Sequence, residues 1–254
     1  MLSSCNSDKN DPNDARSVAI AALRHPALVV VRREAHAQVL RMLAKRHLEL
    51  TGLRTQAVCR LHAVLVQLRP GGIPPRLSST KASRMLQGMR GLDPVSEQRR
   101  VMARTHLADI RRLDRDIKAN KATIRRAVTA AHTTVTDVYG VGPIVAAFLF
   151  GFTGDPLRFA SADHYAAYNG TAPIEVSSAG KTRHRLSLRG NRRLNHAIHM
   201  AAITQIRLDT PGRRYYDHKL DEGKTKKEAL RSLKRRVSDA VYQRLVADQR
   251  HATR

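Results

Sequence analysis

From Arg32 to Leu68 apolar residues return at helical spacing. Leu40, Leu43, Leu50, Leu53, Ala57, Leu61, Val64 and Leu68 lie three, four or seven apart, the stripe of an amphipathic helix. PGGIPP at 70–75 ends it. A shorter helix is predicted over 79–90, and Asp93-Pro94 opens a further one to about His132. Ile110, Leu113, Ile117 and Ile124 form a heptad-like seam there, with Arg111, Arg112, Arg115, Arg125 and Arg126 around it. Two long helices joined by turns predict an antiparallel coiled-coil arm, and an ordinary helical bundle would leave the same pattern.

Upstream, Asp11 suits an N-cap, Pro12 the first helical position and Asp14 the first turn of a helix to about Leu23. ALVVV at 27–31 reads as strand or extended chain. The composition changes after residue 133. A Gly-Val-Gly turn leads into an apolar helix, followed by short helices to about Asn169 and a polar basic loop at 174–191. Helices follow at about 191–207 and 224–248, the last one basic. The expected fold is mainly α, with a helical arm at 32–132 and a helical C-terminal domain at 133–254.

Charge narrows the function. The 254 residues carry 46 Lys and Arg against 21 Asp and Glu, a formal net charge of +25. Self-repulsion on that scale opposes a compact fold unless a polyanion relieves it, and nucleic acid does so through counterion release. No strongly apolar face opposes a basic one, which argues against a membrane-surface protein. Aromatics at 4 % with no Trp argue against a stacking reader of single strands. Cys5 and Cys59 stand far apart without a partner motif, so neither a disulfide framework nor a zinc site is expected. With no membrane-crossing run and no signal-peptide core, the expectation is a cytoplasmic protein.

Three constellations could carry chemistry, and two weaker candidates stand beside them. In VYGVGPIVAA at 138–147, Gly140 and Gly142 bracket one apolar residue before a helix start. That is the form of a helix-hairpin-helix, whose free amides face a phosphate, and also of a plain turn that needs glycine for close packing. In SSAGKTRHRLSLRGNRRLNHA at 177–197, Ser177, Ser178 and Ser187 lie among Lys181, Arg183, Arg185, Arg189, Arg192 and Arg193. Such cations could stabilise a phosphorane formed by a Ser hydroxyl, or simply bind phosphate beside it. Asp11 and Asp14, three apart, could share Mg²⁺ on one helical face or serve as capping residues. Tyr215 and Tyr216 could be nucleophiles but suit packing better, and His196 and His199 lack a third metal ligand.

Taken together these motifs resemble DEDD-type insertion-sequence transposases of the IS-one-ten kind, a group that includes RNA-guided recombinases. KNDPNDA at 9–15 resembles the end of that family's RuvC-like nuclease domain, and LRTQAVCRLHAVL at 53–65 its following long helix. VYGVGPIVAA, GDPLRFASADHYAAYNGTAP at 154–173, SSAGK and LSLRGNRRLNHA resemble its C-terminal domain in order and spacing, and RRYYDHKLDEGKTKKEAL at 213–230 its closing segment. The resemblance implies that residues 1–31 are a remnant of an α/β RuvC-like domain. It also implies that Asp11 and Asp14 are the last two of four Mg²⁺-binding carboxylates. Ser178 becomes the nucleophile that attacks a DNA phosphate, with Ala179 where the family usually has Gly.

The family's other two acidic residues lie on a preceding nuclease segment, so the expectation is a truncated transposase that binds nucleic acid without recombining DNA alone. The implied partners are DNA, an element-encoded guide RNA and further copies of the chain. The rival expectation is a non-catalytic basic module that binds DNA or RNA.

Overall fold

The computed structural model describes residues 11–24, 35–69, 71–74, 77–91, 93–178, 181–186 and 190–252, with the side chains of 174–178, 181–186 and 252 left aside. The expected strand or extended run at 27–31 lies outside the described residues. The chain divides into two units, Met1–Arg32 and Arg33–Arg254. In the first, α1 (Asp11–Arg24) buries no residue and carries Asp11 and Asp14 in its first turn, where the helix dipole favours carboxylates.

The second unit opens with two long helices, α2 (Ala35–Leu68) and α4 (Pro94–Ala130), joined through α3 (Ser79–Gln87). Asp93 caps α4 in a reciprocal capping box with Ser96, and Pro94 occupies the first turn, as the Asp-Pro step predicts. The pair runs antiparallel: Asn120 Nδ2 donates to Leu43 O at 3.2 Å, and Arg54 Nε meets Asp114 Oδ1 at 2.5 Å further out. Towards α3 the seam closes on Leu50, Leu61 and Leu65 against Leu107, Ile110 and Leu113, with Ala82 and Leu86 of α3 completing the cluster. At the other end, Leu40 and Ala44 of α2 and Ile124 and Val128 of α4 join the core of the C-terminal segment.

That core surrounds α5 (Pro143–Thr153), whose sequence PIVAAFLFGFT is apolar on every side and buried from Ala146 to Thr153, as suits a central helix. Gly151 makes the crossing with α2 possible, since a Cβ there would stand 2.6 Å from the Arg41 backbone nitrogen. A 3-10 turn at Thr134–Asp137 precedes α5. A second at Pro156–Arg158 and then α6 (Ala162–Asn169) follow it. Three helices close the domain: α7 (Arg192–Arg207), α8 (Pro211–Asp221) and α9 (Lys226–Ala252). Asp248 of α9 ties the end back to the start of the segment, accepting from Thr133 Oγ1, Thr134 N and Thr134 Oγ1 at 2.7, 2.9 and 2.6 Å.

The fold is mainly α, and one expectation needs correction. Residues 174–191, expected as a polar basic loop, contain a β-ribbon: β1 (Pro173–Ser178) pairs antiparallel with β2 (Lys181–Leu186). The period-two placement of Ile174, Val176, Thr182 and Leu186 on either side of a glycine-bearing connection is the signal, and the density of polar and charged residues hides it.

Candidate nucleic-acid interface

The ribbon stands between α6 and α7, and its register sorts the expected site residues. Ser178 pairs with Lys181, Val176 with Arg183 and Ile174 with Arg185, while Ser177 pairs with Thr182 and Glu175 with His184. Directly paired residues share a face and successive residues alternate. Position 178 therefore falls on the face that bears positions 181, 183 and 185, and position 177 on the opposite one. Arg189 and Ser187 lie outside the described residues.

Both feet of the ribbon are clamped by buried polar side chains that sequence reasoning missed. On the way in, Gly170 takes φ 74° and Asn169, fully buried, accepts from Thr171 N and Thr171 Oγ1 at 3.1 and 2.6 Å. The Asn169 amide donates to Ser238 Oγ of α9 at 2.8 Å. On the way out, a Cβ on Gly190 would stand 2.5 Å from the Gly170 nitrogen, so this second glycine lets the two feet touch. Asn191 donates its backbone N–H to Tyr168 O at 2.7 Å and caps α7. Asn195 bridges both feet, donating to Asn169 O and Gly170 O at 2.9 and 3.0 Å, and accepts from Lys234 Nζ at 2.6 Å. The signal in the sequence is the pair of Asn-Gly and Gly-Asn steps at 169–170 and 190–191, with Asn195 one helical turn on.

Arg192 and Arg193 are exposed in the first turn of α7. Arg193 lies over the Phe152 ring, its guanidinium carbon 5.4 Å from the centroid.

The Gly-Val-Gly turn divides its two glycines between different tasks. Gly140 has φ 81°, and a Cβ there would meet Ala201 O of α7 at 2.5 Å. Gln205 of α7 also donates to Tyr139 O at 2.7 Å. Gly142 has φ −80°, ψ 175°, with nothing within 4 Å of an added Cβ, and it begins α5 without a side-chain cap. The close-packing requirement thus sits at Gly140, while Gly142 fronts the uncapped helix start.

Asp11 and Asp14 are both exposed on α1. Among the described residues no group of three His, Cys, Asp or Glu side chains could hold a metal ion. Tyr215 and Tyr216 of α8 are half-buried against the core, and the Arg236 guanidinium sits 4.4 Å from the Tyr215 ring centroid.

A DEDD-type transposase profile of the IS110 kind matches residues 3–70, and one described as "Transposase IS116/IS110/IS902 family" matches residues 132–217, which takes in the Gly-Val-Gly turn, the ribbon and the asparagines of its clamp. The chain carries transposase domains of the IS116/IS110/IS902 family.

Among its relatives, the "Insertion element IS110 uncharacterized 43.6 kDa protein" of Streptomyces coelicolor is 35 % identical over 109 residues, covering 42 % of this chain and 27 % of that protein. The "Insertion element IS900 uncharacterized 42 kDa protein" of Mycobacterium paratuberculosis is 39 % identical over 106 residues, 41 % of this chain and 26 % of that one. A putative transposase of Sinorhizobium fredii is 25 % identical over 200 residues, 78 % of this chain and 51 % of that protein. The chain thus spans about a quarter to a half of the length of these relatives.

Proposed function

We propose that the chain acts in DNA transposition, and that its ribbon presents Ser178 to a DNA phosphate. The observation that carries the reading is the register: Ser178 falls on the face that also bears Lys181, Arg183 and Arg185, within a segment matched to the transposase family. Attack by Ser178 Oγ on phosphorus forms a phosphoserine bond and expels the 3′ or 5′ oxygen of the cleaved strand, and the hydroxyl proton leaves to a base. The cations stabilise the crowded, negatively charged phosphorane. Lys181, Arg183, Arg185, Arg189, Arg192 and Arg193 hold the backbone in place, and Gly140 and Gly142 shape a turn whose helix start accepts a further phosphate.

The DEDD family implies Mg²⁺. Asp11 and Asp14 offer two carboxylates, and two do not complete a site for that ion. The antiparallel pair of α2 and α4 would serve as a coiled-coil arm that spans nucleic acid or joins copies of the chain, and residues 1–31 would be the end of a RuvC-like domain. A guide RNA and a second copy are the expected partners, in the bacterial cytoplasm. No described helix is long and apolar enough to cross a membrane.

The test is a covalent adduct. With a suicide DNA substrate, Mg²⁺ and a family nuclease segment that brings the remaining acidic residues, a denaturant-resistant protein–DNA species should form and map to Ser178. An adduct at another residue would sink the reading. The second reading, a basic module that binds without cleaving, is favoured by the net charge of +25 together with the two-carboxylate set. It predicts tight binding and no adduct under the same conditions.

A further inference from the structure

Three arginines gather at the foot of the ribbon, and among the described residues none has an acidic partner. Arg158, in the 3-10 turn before α6, lies against two adjoining rings: its guanidinium carbon is 4.4 Å from the Phe159 centroid and 4.5 Å from that of Tyr168, and the two centroids are 5.1 Å apart. Its Nε is buried with no hydrogen-bond partner among the described residues. Arg41 of α2 and Arg193 of α7 share a third ring, 5.5 and 5.4 Å from the Phe152 centroid.

The groups belong to one neighbourhood. Burial pushes the Tyr168 phenol up, yet hydrogen bonds from Asn191 and Arg158 and the charges of Arg158 and Arg41 hold it below its usual value. Asn191 Nδ2 reaches Tyr168 Oη at 3.3 Å, and Arg193 follows Asn191 by two residues. The site therefore lies where Asn191 returns from the ribbon that carries Ser178.

Among the described residues none of the three guanidiniums forms an ion pair. Arg54, Arg213, Arg214, Arg235 and Arg244 each do. The nearest acid in sequence, Asp155, is buried and caps the Pro156–Arg158 turn through the Leu157 amide. Contact with a ring holds a guanidinium while leaving N–H groups free, and Arg158 gives a hydrogen bond to Tyr168 but keeps its other donors, so all three arginines retain N–H groups for an anion. Three like charges held together in this way repel one another until an anion arrives.

We infer that Arg41, Arg158 and Arg193 form a seat for the phosphodiester backbone of nucleic acid at the foot of the ribbon, with DNA as the ligand. This rests on the nucleic-acid reading above but assigns it a place and two residues, Arg41 and Arg158, that are not among the expected site residues. A strand held here passes the foot of the ribbon, the element that bears Ser178. Arg158 acts as the fixed element and Arg41 and Arg193 as the adaptable ones, because the first is half-buried against two rings and the other two are exposed.

The experiment measures binding of the whole chain to labelled DNA duplex, RNA of the same sequence and poly-glutamate over a range of salt. Arg41→Gln/Arg193→Gln is the main variant, since both side chains are exposed and its helical content and melting should match wild type. The expected result is DNA binding weakened about tenfold or more, with a log–log salt slope shallower by about 1. Arg158→Lys keeps the charge but not the stacked plane, and should weaken DNA binding by several-fold. Arg244→Gln, whose partner is Asp137, should change little.

Equal losses on DNA and RNA would support a seat for any phosphodiester, and a loss on DNA alone would identify DNA as the source. A loss confined to RNA would overturn the assignment of DNA. Equal losses on poly-glutamate would show a general anion patch and overturn the phosphodiester seat. If wild type binds steeply and the double variant matches Arg244→Gln, the inference fails and the nucleic-acid reading survives. If wild type binds neither nucleic acid, both fail.

Discussion

The Lys234 ammonium is buried and donates to Asn195 Oδ1 at 2.6 Å, and among the described residues no carboxylate pairs with it. Asn195 in turn holds the backbone carbonyls of Asn169 and Gly170. A cation from α9 thus orients the amide that joins the two feet of the ribbon. Burial holds the Lys234 amine below its usual value. Such a group costs stability unless its hydrogen bond secures something else, and here it secures the base of the element that carries Ser178.

The pH dependence of stability should reveal this residue. Folded Lys234 loses its proton at lower pH than unfolded Lys, whose ordinary value is about 10.4. Between those values the unfolded chain binds more protons, so this group makes stability rise with pH across that window. His199 is held below its own usual value by burial and then by the charges of Lys234 and His196. In chemical denaturation at neutral pH and near pH 10, the stability of wild type minus that of Lys234→Met should increase with pH. A difference independent of pH would refute the argument.

The two glycines of the Gly-Val-Gly turn should respond differently. Gly140→Ala meets both a positive φ and the Ala201 carbonyl at 2.5 Å. It should cost about 2 kcal/mol or more and lower the melting temperature. Gly142→Ala has ordinary φ and open space, and as an N-cap change should cost under about 1 kcal/mol. If the uncapped start of α5 holds a phosphate, Gly142→Val should weaken duplex binding while circular dichroism stays unchanged. Global unfolding by Gly142→Val would mark that glycine as a packing residue instead.

The long helices were legible because their periodicity is strong and their ends carry explicit signals: Asp93-Pro94 opens α4 and PGGIPP follows α2. The ribbon was not, since Lys181, Arg183 and Arg185 read as loop composition while the alternation that makes a strand runs through Ile174, Val176 and Thr182. Ser178 and the basic residues could be chosen from motif order, but their shared face depends on register, which a polar ribbon specifies weakly in sequence. The clamp of Asn169, Asn195 and Lys234 was invisible for a different reason. Its members lie 26 and 39 residues apart, and an isolated Asn or Lys gives no sign that it will be buried.

Phosphate-dominated binding predicts a steep, log-linear loss of affinity with salt on any duplex. Replacing Arg189 and Arg192 together by Ala should weaken all sequences alike and flatten the slope, because backbone contacts position without specifying. Fluorescence anisotropy from low to physiological salt checks this. A flat dependence in wild type would contradict the electrostatic account.

The register makes the sharpest claim, between neighbouring serines. Ser178 pairs with Lys181 and falls on the face with positions 183 and 185, whereas Ser177 pairs with Thr182 on the other face. If phosphate lies along the cationic face, only Ser178 is placed to attack in line, and the charge it creates is stabilised only there. Lys and Arg stay protonated at neutral pH and make poor bases, so the proton must leave by way of a more complete acidic site than Asp11 and Asp14 provide. The chain with Mg²⁺ and a suicide duplex should therefore form no adduct by itself. With a family nuclease segment added, an adduct should appear that Ser178→Ala abolishes, Ser177→Ala retains and Asp14→Asn strongly suppresses. Mass spectrometry of the linked peptide decides among the candidates. Linkage at Ser187 or Tyr215 would refute the assignment, and linkage without the added segment would show that two carboxylates suffice.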